Sequence, residues 1–175
     1  MGESFFFSRY RSPLGTYVLV SSQLGVVCIE SETHAAIRFA RWRKGGIQLR
    51  DGNDHNQRVI AELDAYFAGT LFKFSVPLDF RGTDFQRKVW GLLLDIPYGE
   101  TRSYGQIARA LGQPSASRAV GRAIGANPIS IIVPCHRVIG ASGKLVGYGG
   151  GLNKKRVLLD LEARAMRNRS ESRRS

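Results

Sequence analysis

Partway along the chain the hydrophobic pattern changes period, and that change limits the possible folds more than any other feature. Before Pro77, aromatic and β-branched residues come in short runs. Phe5 to Arg11 and Thr16 to Val20 flank the turn sequence Ser12-Pro13-Leu14-Gly15, and Gly25 to Glu30 reads as a third strand. Residues 44–54 are rich in Gly, Asp and Asn and read as a loop. Val59, Ile60, Leu63 and Phe67 then recur at helical spacing, with Gly69 suited to the helix exit. Beyond a connector at Pro77 to Gly82 the period becomes predominantly helical. Thr83-Asp84-Phe85-Gln86 matches a capping box, and Phe85, Val89, Leu92, Leu93 and Ile96 form one apolar face. A second helix is expected from Ser103 to about Leu111, with Tyr104, Ile107, Ala108 and Leu111 on one side. A turn at Gly112 to Ser115 leads to a third, from about Ala116 to Gly125. The expected class is α+β. Residues 1–77 form a domain with a small antiparallel sheet and a helix, 78–83 a connector, 84–165 a helical domain, and 166–175 a basic, disordered tail.

Charge narrows the partners. Lys and Arg number 26 against 14 acids in 175 residues, a net of +12 with a pI near 10.4, which favours association with a polyanion such as nucleic acid. A basic, solvated surface without a specific partner fits the same composition, and part of the excess sits in the Ser/Arg-rich stretch Arg164 to Arg174. The third helix is more informative. Ala116, Ala119, Val120, Ala123 and Ile124 can face a core, leaving Arg118, Gly121, Arg122 and Gly125 on a face with little bulk except two arginines. Two helices joined by a short glycine-containing turn form a helix-turn-helix pattern, and a low-profile basic face suits close approach to a phosphate-lined groove. An exposed helix with two solvated arginines accounts for the pattern equally well.

No apolar run approaches the roughly 18 residues of a membrane span, and Phe5 to Phe7 is too short for a secretory signal, so the expected location is cytoplasmic with no membrane partner. The two cysteines, Cys28 and Cys135, form no CxxC, and His34, His55 and His136 add no ligand spacing, so no metal is expected. Cys28, between Val27 and Ile29, reads as core filling. Cys135 differs. An apolar, strand-like run from Ile129 to Val133 delivers Pro134-Cys135-His136-Arg137-Val138, and a glycine-rich loop follows. A thiol on a constrained backbone beside a histidine is a candidate nucleophile, because thiolate chemistry needs a nearby base or cation. Side chains adjacent in sequence diverge on extended chain, so adjacency alone does not make His136 the partner of Cys135, though a water between them could bridge the gap. Glu162, one helical turn after Leu158 and next to Leu161, is expected to face inward, where a buried acid needs a partner such as histidine.

IPYGETRSYGQIA, SRAVG and NPISIIVPCHRVIGASGKLVGYGGG occur in that order, and together they resemble the O6-alkylguanine-DNA alkyltransferase family over roughly residues 82–162. The resemblance implies a winged-helix-like helix-turn-helix in the second domain. It also implies direct-reversal repair, in which the alkyl group of O6-alkylguanine, and of O4-alkylthymine, passes irreversibly to Cys135 without turnover. His136 would act through a water as base, supported by Glu162, and Tyr104 would assist departure of the purine. Arg118 would fill the stack left by a flipped base, with Ser103, Ser117, Ala119, Gly121 and Arg122 also at the DNA. Arg122 departs from the smaller or apolar residue common in the family. Asn127, Val138, Tyr148, Gly149, Gly150 and Lys155 would build the pocket, with the carbonyls of Cys135 and Val138 reading the exocyclic amine. No cofactor is implied, since the substrate carries its own alkyl group. The implied partner is double-stranded alkylated DNA and the implied state a monomer, cooperative assembly on DNA being left open. Two rivals are a non-catalytic lesion-binding relative, against which Cys135 argues directly, and a DNA-binding regulator with an incidental cysteine.

Overall fold

In the first half of the chain a two-residue period produces a sheet with two different faces. The computed structural model describes residues 2–172. They divide into a first unit, residues 2–81 with Pro128–Ser130, and a second, Gly82–Asn127 with 131–172. In the first unit β1 (Ser4–Ser12), β2 (Gly15–Ser21), β3 (Val26–Ser31) and β4 (Gln48–Asp51) form one sheet in the order β3-β2-β1-β4. Alternate residues of β1 serve opposite faces. Phe5 and Phe7 pack edge-on against Trp42 and Phe39 of α1 (Glu32–Lys44). On the other face Ser8 accepts from Asn56, and Tyr10 donates its hydroxyl proton to Asp64 of α2 (Gln57–Phe67) at 2.8 Å. Cys28 lies fully buried among Phe5, Val18, Val20 and Val27.

Three expectations change here. The stretch 44–54 is not wholly loop, because β4 lies within it and pairs parallel to β1, which makes the sheet mixed. Four residues with mostly exposed side chains carry no alternation to read. The helix α1 also escapes the pattern, since its inward stripe is only Ala35, Phe39 and Trp42 while Ile37 is 61% exposed. The connector belongs to the first unit: Leu78 bridges Val26, and Asp79 N–H donates to the Val26 carbonyl at 2.8 Å. This close approach needs Gly25, where a Cβ would lie 2.4 Å from the Pro77 carbonyl oxygen and φ is +149°.

The second unit follows the helical period. The α3 helix (Asp84–Leu94) starts at a complete capping box on Thr83 and Gln86 and buries Val89, Trp90 and Leu93. A short strand β5 (Arg102–Ser103) leads into α4 (Tyr104–Ala110), itself opened by a capping box on Ser103 and Gln106. After a 3-10 turn at Pro114–Ala116, α5 (Ser117–Gly125) buries Val120, Ala123 and Ile124, and Trp90 donates its indole N–H to the Ala123 carbonyl at 2.8 Å. The apolar run Ile129–Val133 is buried but is not a strand. Ile129 makes a single parallel bridge with Ile29 in the first unit, and Ile131 has φ +73°. A β-branched residue rarely adopts that conformation, so burial on both sides turns the chain where alternation would have extended it. β6 (Val138–Ile139) pairs parallel to β5, and α6 (Leu152–Ser172) closes the unit. The tail expected to be disordered from 166 is helical as far as Ser172, because Ala, Met, Arg and Glu prolong a helix with no Gly or Pro to stop it. Its last residues, 173–175, lie outside the described part. Among the described residues no helix is long and apolar enough to cross a membrane.

Candidate active site

Pro134 ends the buried run and starts a 3-10 turn at Cys135–Arg137, so the thiol, the imidazole and the guanidinium leave one tight turn in different directions. All three are buried: Cys135 is 7% exposed, His136 0% and Arg137 7%. Opposite them α6 presents Lys155, Leu158 and Glu162 on its inner face, at the three- and four-residue spacing that stacks side chains along one stripe. His136 Nε2 lies 2.8 Å from Glu162 Oε1. Arg137 donates from Nε to both carboxylate oxygens at 3.1 and 3.0 Å and from Nη2 to Oε1 at 2.9 Å. Gly99 N–H donates to Oε2 at 2.9 Å. Burial works against a charge on Glu162, but hydrogen bonds and positive charge from His136 and Arg137 outweigh it and lower the pKa of its carboxyl to about 2. Glu162 is therefore an acceptor only, so the Nε2 proton of His136 points at it and the Nδ1 lone pair remains for a second partner. Burial, with the positive charges of Arg137 and Lys155, depresses the histidine below its ordinary value against the pull of Glu162. It is a neutral base at neutral pH.

Burial also raises the Cys135 thiol, against a hydrogen bond from Asn127, the charge of Lys155 and the backbone amides of the turn. Asn127 additionally donates from Nδ2 to the Val133 carbonyl at 3.0 Å, tying the end of α5 to the residues before the cysteine. Lys155 is wholly buried and donates to the carbonyls of Val138 (2.5 Å), Val146 (2.7 Å) and Gly147 (3.2 Å), and burial lowers its ammonium below the ordinary value. One lysine thus clamps the strand leaving the thiol to the glycine-rich loop. Tyr104, half-buried at the start of α4, donates its hydroxyl proton to the Val146 carbonyl at 3.1 Å. Gly147 permits this contact, since its φ is +54° and a Cβ there would lie 2.9 Å from the tyrosine oxygen. Burial, then the nearby thiol, raises the phenol further above its ordinary value.

The domain described as "6-O-methylguanine DNA methyltransferase, DNA binding domain" matches residues 84–164, and "6-O-methylguanine DNA methyltransferase, ribonuclease-like domain" matches 6–80. The chain belongs to the 6-O-methylguanine DNA methyltransferase family. The methylated-DNA–protein-cysteine methyltransferase of Methanosarcina acetivorans is 45% identical over 163 residues, 90% of this chain and 97% of that protein. That of Mycobacterium bovis is 70% identical over 104 residues, a match spanning 59% of this chain and 63% of the relative's length. Among solved structures, Mycobacterium tuberculosis O6-methylguanine methyltransferase superposes with a TM-score of 0.77 at 47% identity, covering 92% of this chain and 94% of that one. Mycobacterium tuberculosis OGT in complex with DNA gives 0.76 at 48% identity, covering 93% and 94%.

Within this family member the expected site residues do not all fall together. Cys135, His136, Glu162, Asn127, Val138, Lys155 and Tyr104 converge on the turn and the inner face of α6. Arg118 and Arg122 are exposed on α5, with Ser117 and Ala119 half-buried beside them. Gly121 does not sit on the outer face with the arginines, because a Cβ there would meet the Tyr104 ring at 3.7 Å. Tyr148 is half-buried, while Gly149 and Gly150 are exposed in the loop. The carbonyls of Cys135 and Val138 already accept from Val138 N–H and Lys155 respectively, which leaves each one lone pair. Sequence reasoning missed Arg137. It counted only as a letter of PCHRV, yet a cation inside the apolar stretch IIVPCHRVI could stay buried only against an anion, and Glu162 was the inward-facing acid.

Proposed function

We propose that this protein repairs duplex DNA by moving the methyl group of O6-methylguanine onto Cys135, once per molecule. The observation that carries the reading is the buried His136–Glu162 pair, one residue from a buried thiol. The thiol is protonated at rest and the imidazole neutral, so the proton passes from Sγ through a water to Nδ1, and the ionised Glu162 stabilises the imidazolium. The sulfur lone pair attacks the methyl carbon, the carbon–O6 bond breaks, and its electron pair stays on the purine. Cys135 ends as a thioether. The Tyr104 hydroxyl, turned from the Val146 carbonyl to the base, gives the purine its proton, and the imidazolium returns a proton to the tyrosine through water. His136 is then neutral again, and the net transfer is of the thiol proton to guanine. A thioether offers no leaving group, so the protein is spent. Inside a stacked duplex O6 is closed to in-line attack, so the base is flipped into the site while Arg118 takes its place.

Intact-mass analysis after incubation with duplex O6-methylguanine DNA tests this. One added methyl per protein, mapped by peptide mass to residue 135, is expected, together with a repaired yield that never exceeds the protein present. A methyl on Cys28, or many duplexes repaired per protein, overturns the mechanism.

A further inference from the structure

We infer that Arg137 is a positioning residue of the transfer step: by sharing the Glu162 carboxylate with His136, it lets the acid orient the imidazole without leaving a proton on it. The inference deepens the proposed function and rests on it. A carboxylate buried against a lone imidazole draws a proton onto the ring, and a His136 protonated at rest has no Nδ1 lone pair for the thiol proton. The surroundings of Glu162 remove that difficulty. Oε1 lies 2.8 Å from His136 Nε2 and accepts from Arg137 Nη2 at 2.9 Å, while Arg137 Nε donates to Oε1 at 3.1 Å and to Oε2 at 3.0 Å. The guanidinium grips both carboxylate oxygens, and it shares one of them with the ring. Two groups on one oxygen sit within the about 6 Å over which a positive charge resists a second.

The turn after α3 fixes Arg137 in this place. Arg137 Nη1 donates to the Ile96 carbonyl at 2.6 Å, and the guanidinium carbon lies over the Tyr98 ring, 5.5 Å from its centroid. Gly99 N–H donates to Glu162 Oε2 at 2.9 Å, so the same turn holds both the cation and the acid. Only glycine suits that position, where φ is +78° and a Cβ would lie 2.8 Å from Met166 Cγ of α6. The titratable groups around His136 are Cys135 and Arg137 on its own turn and Lys155 and Glu162 on α6. Tyr98 faces the Glu162–Arg137 pair, and Tyr104 of α4 faces the thiol. Of the charged groups, Glu162 favours imidazolium, whereas Arg137 and Lys155 oppose it. Lys155 is committed to the carbonyls of Val138, Val146 and Gly147, which leaves Arg137 as the cation that shares the acid. It acts through Glu162 and not on the substrate.

The test is the titration of the His136 ring, followed by NMR of protein labelled with nitrogen-15 at histidine, for wild type, Arg137→Met and Arg137→Lys, beside the single-turnover rate against pH. Wild type should show a neutral ring at pH 7 with its proton on Nε2. In Arg137→Met the ring should titrate at least about one pH unit higher, since one nearby positive charge is gone. The acid limb of the rate should rise with it, opposite in sign to the effect of Glu162→Gln. Arg137→Lys keeps the charge but not the planar grip, so its ring should titrate near the wild-type pH while transfer slows at every pH. A wild-type ring that titrates at or above 6.5 overturns the inference. So does a folded Arg137→Met whose ring titrates as in wild type, which is the behaviour of an arginine that only packs, or an Arg137→Lys shift as large as that of Arg137→Met. Should Arg137→Met not fold, wild type and Arg137→Lys decide between these outcomes. Wild type that leaves Cys135 unmethylated by duplex O6-methylguanine refutes the proposed function instead, and the ring titration still decides the part played by Arg137.

Discussion

Glu162 must satisfy two demands that usually conflict, full burial and full charge. The guanidinium of Arg137, the Gly99 amide and the His136 ring meet both by surrounding the carboxylate with donors. The consequence for His136 is directional, since the ring is held by its Nε2 proton and presents Nδ1. Glu162→Gln removes the charge that favours imidazolium and loosens the choice of tautomer. Single-turnover transfer should slow by at least about tenfold, equivalent to about 1.4 kcal/mol of barrier, while duplex affinity changes little. The acid limb of the rate profile should also move to lower pH, because Glu162 raises the histidine in the wild type. Rates measured by quenched flow from pH 5 to 9 settle it, and an unchanged rate with the fold intact would reduce Glu162 to a packing residue.

The helix α5 works as an element with two faces. Val120, Ala123 and Ile124 are buried, Trp90 anchors the Ala123 carbonyl, and Arg118 and Arg122 project from the exposed side. Anchoring the backbone from behind lets a long side chain on the front act as a rigid wedge. Arg118→Ala should therefore slow repair of duplex O6-methylguanine strongly, by about tenfold if about 1.4 kcal/mol of the unstacking cost goes uncompensated. Its reaction with free O6-benzylguanine, where no base leaves a stack, should change far less. Equal slowing on both substrates would contradict the wedge, and a lower salt slope with no duplex-specific effect would mark Arg118 as a phosphate contact only.

Across the whole molecule, buried ionisable groups couple stability to pH. His136 is depressed from 6.5 in the fold, so the unfolded chain takes up a proton first, and stability falls as pH drops below about 6.5. Glu162 contributes fully above its ordinary value of 4.5, and that contribution is lost as pH falls toward about 2. Both act in the same direction. Urea midpoints should decline in two stages between pH 7 and 2.5, and Glu162→Gln should flatten the lower stage. A wild-type midpoint constant from pH 6.5 to 4.5 would remove His136 from this account.

Local signals told most of the fold and the chemical centre of the site. The capping box at Thr83 and Gln86, the helical faces of α3 and α5 and the hairpin at Ser12 to Gly15 are contacts between near neighbours, so their residues carry them directly. Glu162 was legible as inward-facing because it stands one helical turn after Leu158 and next to Leu161, and α6 buries it with Lys155, Leu158 and Ala165. The strand β4 was not, since its place is set by a β1 partner more than forty residues away along the chain and not by its own pattern. Ile129 to Val133 looked like a strand because apolar composition reports burial but not direction, and the chain turns at Ile131, where φ is +73°. Arg137 is the clearest division between the two kinds of information. Its charge and apolar neighbours stand in the sequence, but that it shares one carboxylate with His136 is decided by a meeting between residues 137 and 162 that only the folded chain brings about.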